Sequence, residues 1–171
     1  FPHTWVHVRP VLLTDLCRCI ENVIWIYSFR VDSVFNFHEK FARSCVAAFC
    51  VQLNPTIDEI VDIKTVISEA VTNCVVHAYP KKIGDITIKV KIKNSSIYIT
   101  VIDKGVGIAD INKAREPFFT TKPNEERSGM GFTVMESFMD KLEVTKNKGG
   151  GLVVNMVKHI GNLKSLSVAN G

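Results

Sequence analysis

Nowhere do the 171 residues contain an uncharged run of about 18, the length that a membrane-spanning helix needs. The most apolar window, residues 11–29, still carries Asp15, Arg18 and Glu21, which excludes a span. The basic start and small-residue cleavage site of a signal peptide are missing as well. Cysteine is present but unpaired in pattern. Cys17, Cys19, Cys45, Cys50 and Cys74 are odd in number and form no C-x-x-C, which argues against a disulfide scaffold or a structural zinc site. Reduced thiols in a cytoplasm fit better. Charge of one sign is not in excess: 21 Lys and Arg stand against 17 Asp and Glu, a net +4 too small and scattered to indicate nucleic acid. There is no G-x-x-x-x-G-K-[ST], so a P-loop is excluded. The H-R-D, D-F-G and V-A-I-K signatures of eukaryotic-type protein kinases are also lacking.

What is present describes a folded domain. Hydrophobic residues make up 46% and charged residues 22%, the balance of a globular chain. The length suits one core, which stays efficient to roughly 150–200 residues. Residues 1–28 show no clear period, and the expectation is a fusion remnant or misplaced start, or else an amphipathic extension. A single domain is expected over 29–164, with a tail over 165–171. Residues 29–34 suggest a short strand. Apolar residues at Phe41, Cys45, Ala48 and Phe49 have helical spacing, and that helix should end near Leu53. A second helix is expected from Asn54 as cap and Pro55 as first helical residue. Its apolar stripe would be Ile57, Ile60, Val61, Ile67, Val71, Cys74 and Val75, ending before Pro80. Ile86, Ile88, Val90 and Ile92 alternate with Thr87, Lys89, Lys91 and Lys93, the period of a strand with a wet lysine face. Asn94-Ser95-Ser96 turns the chain, and residues 97–102 return antiparallel. A helical turn at 111–115, a polar loop over 116–127 and a helix over 129–140 follow, the last with Met130, Val134 and Phe138 on one side. A hairpin closes the chain around Gly149-Gly150-Gly151. The fold class is therefore α+β: a two-layer sandwich, with helices on one face of a mixed, mostly antiparallel sheet.

Three stretches carry chemistry. Glu69 and Asn73 lie four apart and share a helix face. A carboxylate can accept a proton, and an Asn carbonyl oxygen is a hard ligand suited to Mg²⁺. Asp103 ends a strand and is followed by Gly105 and Gly107. Such an Asp can accept a hydrogen bond from an exocyclic amine such as adenine's, while the glycines let a planar ring approach the backbone. Ser128-Gly129-Met130-Gly131 opens a helix whose unpaired N–H groups and dipole favour phosphate. Thr120, Thr121, Lys122 and Arg127 add hydroxyls and positive charge just upstream. Taken singly, these are an ordinary helix face, a turn and a glycine-rich helix start. In this order they form a specific set: metal ligand, adenine site, phosphate site.

The set resembles the N box and two glycine boxes of the ATP-binding fold shared by gyrase, the Hsp90 chaperones and histidine kinases. FARSCVAAF (41–49), IKTVISEAVTNCVVHAYP (63–80), DKGVGI (103–108) and REPFFTTKPNEERSGMGFTVMESFMD (115–140) are similar to the anti-sigma F factors of spore-forming bacteria, over about residues 29–164. That resemblance implies a cytoplasmic, sporulation-linked serine/threonine kinase with ATP and Mg²⁺ as cofactors. It implies a homodimer that inhibits sigma factor F and phosphorylates an anti-anti-sigma factor, with no direct contact to nucleic acid or membrane. It assigns Glu69 as general base and Arg127 as a phosphate clamp. Asn73 would hold Mg²⁺, and Asp103, Gly105 and Gly107 would meet the adenine. Thr120, Thr121, Ser128, Gly129, Met130 and Gly131 would bind the nucleotide's phosphates, and Arg43 would face a partner. His77 reads as structural. Leu152 departs from the threonine that such proteins place after the last glycine turn. Three other readings stay open: a general stress-type anti-sigma kinase for a related sigma factor, a non-catalytic ATP-dependent binding module, and a detached histidine-kinase ATPase domain.

Overall fold

The computed structural model describes residues 8–9, 24–31, 37–80, 82–118 and 129–161. Among these, six strands form one sheet: β1 (Val8–Arg9), β2 (Ile24–Val31), β3 (Gly84–Lys93), β4 (Ser96–Asp103), β5 (Lys141–Lys146) and β6 (Leu152–His159), in the order β1-β2-β3-β4-β6-β5. Every neighbouring pair is antiparallel, so the expected admixture of parallel pairing is not found among the described strands. The strand expected over residues 29–34 is β2, which begins earlier, at Ile24; residues 32–34 lie outside the described part. β1 and the first part of β2 come from the stretch before Phe29.

Helices α1 (Phe37–Cys50), α2 (Ile57–Asn73) and α4 (Gly131–Phe138) make the second layer, with a single helical turn α3 (Ile111–Ala114) beside them. None of the described helices is long and apolar enough to cross a membrane. The period-two pattern of β3 has the consequence expected of it. Ile86, Ile88 and Val90 are wholly buried against the helices, while Lys89 and Lys93 are exposed and Lys91 is half-buried on the other face. Pairing of Lys93 with Ser96 leaves a two-residue loop, Asn94-Ser95, with φ of 49° and 55°. Left-handed values at both positions belong to the hairpin turn whose twist matches its strands. Ser96 therefore belongs to β4 rather than to the turn.

Three helix expectations need correction. Asn54 does not cap α2. It ends the short 3-10 turn Val51–Leu53 in the left-handed conformation (φ 50°, ψ 53°), its N–H donating to the Val51 carbonyl at 3.0 Å. Thr56 is the cap, in a capping box: Glu59 N–H donates to Thr56 Oγ1 at 3.2 Å, and Thr56 N–H donates to Glu59 Oε2 at 2.7 Å. The buried stripe is also rotated from the expected one. It runs Ile63, Val66, Ile67, Ala70, Val71 and Cys74, whereas Ile57 is 80% and Val61 53% exposed. Acidic residues occupy the inward positions of the first two turns. Lys158 Nζ on β6 donates to Asp62 Oδ2 at 3.0 Å, and Gly161 N–H donates to Glu59 Oε1 at 3.0 Å. These contacts aim the 59/62/63/66 row at β6 and turn residues 57 and 61 outward. On α4, likewise, the residue in the core is Met135; Met130, Val134 and Phe138 are only half-buried.

Thr56→Ala removes one half of the capping box and should cost about 1 kcal/mol of stability. Asn54→Ala should cost less than the several kcal/mol typical of a core deletion, because only a left-handed turn is strained. Urea unfolding of both variants checks this.

Candidate nucleotide site

Glu69 and Asn73 project from the last turns of α2, flanking its buried stripe, and both are half-buried. They line a cavity of about 760 Å³. Its other walls are the segment after β4, the start of α4, and Leu152 and Val154 on β6. A Cβ on Gly131, the first residue of α4, would lie 3.0 Å from Asn73 Nδ2, 3.2 Å from Asn73 Oδ1 and 3.2 Å from Glu69 Oε2. The glycine thus lets the helix start abut the Glu/Asn pair. Gly129 and Met130 line the same cavity. Thr120, Thr121, Arg127 and Ser128 lie outside the described residues.

After Asn73 the helix widens into a π turn, Cys74–Ala78. Such turns are frequent at functional sites. Here the turn brings two groups against the end of β4. Cys74 Sγ donates to Asp103 Oδ2 at 3.9 Å, and the Ala78 carbonyl accepts from Val106 N–H at 3.0 Å. A Cβ on Gly105 would stand 2.1 Å from that Ala78 oxygen, so only glycine fits. Gly107 has φ of +68°, the second position in D-x-G-x-G that favours glycine. His77 is half-buried on the π turn and also lines the cavity.

Asp103 is 3% exposed. Gly105 N–H donates to its Oδ1 at 2.9 Å, and Leu152 N–H donates to its Oδ2 at 3.2 Å. A Cβ on Gly151 would lie 2.2 Å from Oδ1. Burial pushes the carboxyl's pKa above its ordinary 3.8, opposed by the donors from Gly105, Leu152 and Cys74. The same burial, reinforced by the Asp103 charge, pushes the Cys74 thiol well above 9.0. It is held protonated, as a donor rather than a nucleophile. Leu152, the departure from threonine, serves Asp103 through its backbone, while its side chain lines the cavity.

The cavity therefore offers a buried carboxylate, glycine-lined backbone, a second carboxylate and an amide oxygen, with a helix start facing the last two. Magnesium fits this donor set. Asn73 supplies one oxygen beside Glu69, and no cluster of three or more His, Cys, Asp or Glu among the described residues builds a protein cage. Mg²⁺ keeps several waters and is held by one or two protein oxygens plus phosphates, so the ion would come with the nucleotide.

Arg43 lies apart from the cavity, on α1. Its Nη1 is 3.6 Å from Glu39 Oε1, one turn back, and 3.4 Å from Ser68 Oγ, which also bonds Glu39. Two further groups had no assigned role in the sequence. Tyr79 Oη and Asn147 Nδ2 both bond the backbone around Asp103. Tyr79 stands inside a recognised stretch without a role; Asn147 gave no signal.

Folded Asp103 binds its proton more tightly than an unfolded aspartate does. Its contribution to stability is thus greatest at low pH and falls as pH rises from about 3.8 through the raised value. An Asp103→Asn variant has no such loss. Its stability relative to the parent should improve steadily over that window, read by denaturant unfolding at a series of pH values. An unchanged difference would mean that the carboxyl titrates normally.

Residues 38–158 match the model of the histidine kinase-like ATPase domain. The chain is 60% identical over 127 residues to the anti-sigma F factor of a Thermoanaerobacter species, covering 74% of this chain and 89% of that one. It is 53% identical over 130 residues to the anti-sigma F factor of Geobacillus thermodenitrificans, covering 75% and 89%. With that of Bacillus subtilis it is 46% identical over 135 residues, covering 78% and 92%. Among solved structures it is similar to the catalytic domain of the histidine kinase ThkA, with a TM-score of 0.51, 18% identity and coverage of 82% of this chain and 97% of that one. At that identity the likeness speaks for the fold, the same α+β sandwich. The extent of the sequence match decides the family: the chain belongs to the anti-sigma F factors, within the histidine kinase-like ATPase domain proteins.

Proposed function

We propose that the protein binds and inhibits sigma factor F and, as an ATP-dependent serine kinase, phosphorylates the anti-anti-sigma factor that would release it. In this reading it works as a cytoplasmic homodimer during sporulation. The observation that carries the enzymatic half is the convergence of Glu69, Asn73, Asp103 and the glycine start of α4 on one cavity. Phosphoryl transfer asks mainly for positioning and charge neutralisation, which such a cavity can supply.

Asp103 accepts from the adenine amine, and the backbone at Gly105 and Gly107 takes the flat face of the ring. The α4 start, at Gly129, Met130 and Gly131, turns its N–H groups to the phosphates. Arg127, Thr120, Thr121 and Ser128 add phosphate contacts from the segment preceding it. Asn73 would hold the magnesium, whose positive charge would help neutralise the phosphates. Glu69, on the same face, takes the proton from the substrate serine hydroxyl. The serine oxygen then bonds to the γ-phosphorus as the bond to the β–γ bridging oxygen breaks, leaving ADP and phosphoserine. Arg43, outside the cavity, is the partner contact, and Glu39 and Ser68 hold its guanidinium in place.

Glu69→Ala should keep ATP and sigma-factor binding and lose phosphate transfer by about 10²–10⁴-fold. Labelled ATP with Mg²⁺ and the anti-anti-sigma protein, followed by phosphoamino-acid analysis, reads this. Equal transfer by variant and parent rejects Glu69 as base, and acid-labile phosphohistidine in place of phosphoserine rejects the serine kinase. Arg43→Ala should weaken partner binding with ATP affinity unchanged, measured by calorimetry; undiminished sigma inhibition would remove Arg43 from the interface.

A further inference from the structure

The peptide group joining Asp103 to Lys104 is held at both ends by side chains from elsewhere in the chain. Its N–H, on Lys104, donates to Tyr79 Oη at 2.7 Å. Its carbonyl, on Asp103, accepts from Asn147 Nδ2 at 2.9 Å. Both clamping residues are themselves fixed. The Tyr79 hydroxyl donates to the Asp85 carbonyl at 2.7 Å. Its ring fills the space beside Gly84, where a Cβ would come within 2.1–2.3 Å of three ring carbons. Asn147 N–H donates to the Gly151 carbonyl at 3.0 Å, and the Asn147 carbonyl accepts from Gly150 N–H at 3.0 Å. Neither side chain lines the cavity.

A peptide plane secured at both edges is restrained from swinging, and the Asp103 Cα attached to it is restrained as well. The carboxylate beyond that Cα has about four acceptor positions. Gly105 N–H takes one on Oδ1, while Leu152 N–H and the Cys74 thiol take those on Oδ2. That leaves about one position of the four, on a residue that itself lines the cavity. A hydrogen bond weakens steeply as its angle departs from linear, so the value of that last acceptor depends on how the backbone under it is held.

We propose that Tyr79 and Asn147 are positioning residues for purine choice: by clamping the Asp103–Lys104 peptide they hold the free acceptor of Asp103 in line with an exocyclic amine. They thereby set the preference for a 6-aminopurine nucleotide over one without the amine. The inference rests on the reading of Asp103 as the base acceptor. It adds that the selectivity is stored in two side chains outside the cavity, one from the end of the π turn and one from the β5–β6 turn.

The test compares dissociation constants, with Mg²⁺ present, for ATP and for purine riboside triphosphate, which differs only in lacking the 6-amino group. The parent should favour ATP by about tenfold or more, the value of a hydrogen bond to a charged acceptor. Tyr79→Phe keeps the ring beside Gly84 and loses the hydroxyl; Asn147→Ala loses the amide. Each should cut the preference by about threefold or more, the size of coupling between residues in contact. Binding of the amine-free nucleotide should stay at the parental level, which also reports that the variant is folded. If both variants weaken the two nucleotides equally, the residues are merely structural and the proposal falls. If both retain the full preference, the clamp does not set it. A parent that fails to discriminate at all would remove Asp103 as the amine acceptor, a separate failure that takes the clamp with it.

Discussion

A carboxylate taken almost wholly out of water has to be met by donors, and at Asp103 that requirement organises the site. Unanswered, a buried charge costs several kcal/mol or more and drives neutralisation. The donors come from three separate stretches: Cys74 on the π turn, Gly105 just downstream, and Leu152 at the start of β6. Meeting one side chain therefore fixes how the end of α2, the segment after β4 and the β5–β6 hairpin stand to one another. The closeness needed explains the glycines. At both Gly105 and Gly151 a Cβ would intrude to about 2 Å from backbone or carboxylate oxygen.

The same helix serves the core and the chemistry. One flank of α2 buries Ile63, Val66, Ile67, Ala70 and Val71, and the adjoining flank carries Glu69 and Asn73 into the cavity. The geometry of the candidate site is in this way tied to the packing that stabilises the domain. Lys158 closes the arrangement from the far side. Its ammonium is mostly buried and donates both to Asp62 on α2 and to the Phe138 carbonyl at 2.8 Å, at the end of α4. A buried cation with two acceptors from two helices resists their sliding, which matters where the start of α4 must abut Asn73.

Local pattern made much of this legible. The alternation in 86–93 needs only the two-fold geometry of a strand, and Asn94-Ser95 needs only residues that tolerate left-handed φ. Glu69 with Asn73, and Asp103 with its two glycines, are short-range spacings on single elements, so they could be read directly. The stripe on α2 could not. Ile57 and Val61 are as apolar as Ile63, and what turned them outward was a pair of acidic residues finding partners on β6 and just past its end, about a hundred positions away in the chain. At Asn54 the ambiguity is more local. The residue is equally suited to capping a helix and to ending a turn in the left-handed region, and Thr56 with Glu59 made the better cap.

By itself, then, the order of residues determined most of the element types, the one-faced sheet and the identities of the groups gathered at the candidate site, because each is set by spacings of two to four residues. Only the tertiary structure decided which flank of α2 is core, that Leu152 serves Asp103 by its backbone, and that Tyr79 and Asn147 grip one peptide from opposite sides. Those outcomes depend on distances between segments 25 to 102 residues apart, which become defined when the hairpins pair and the helices settle on the sheet.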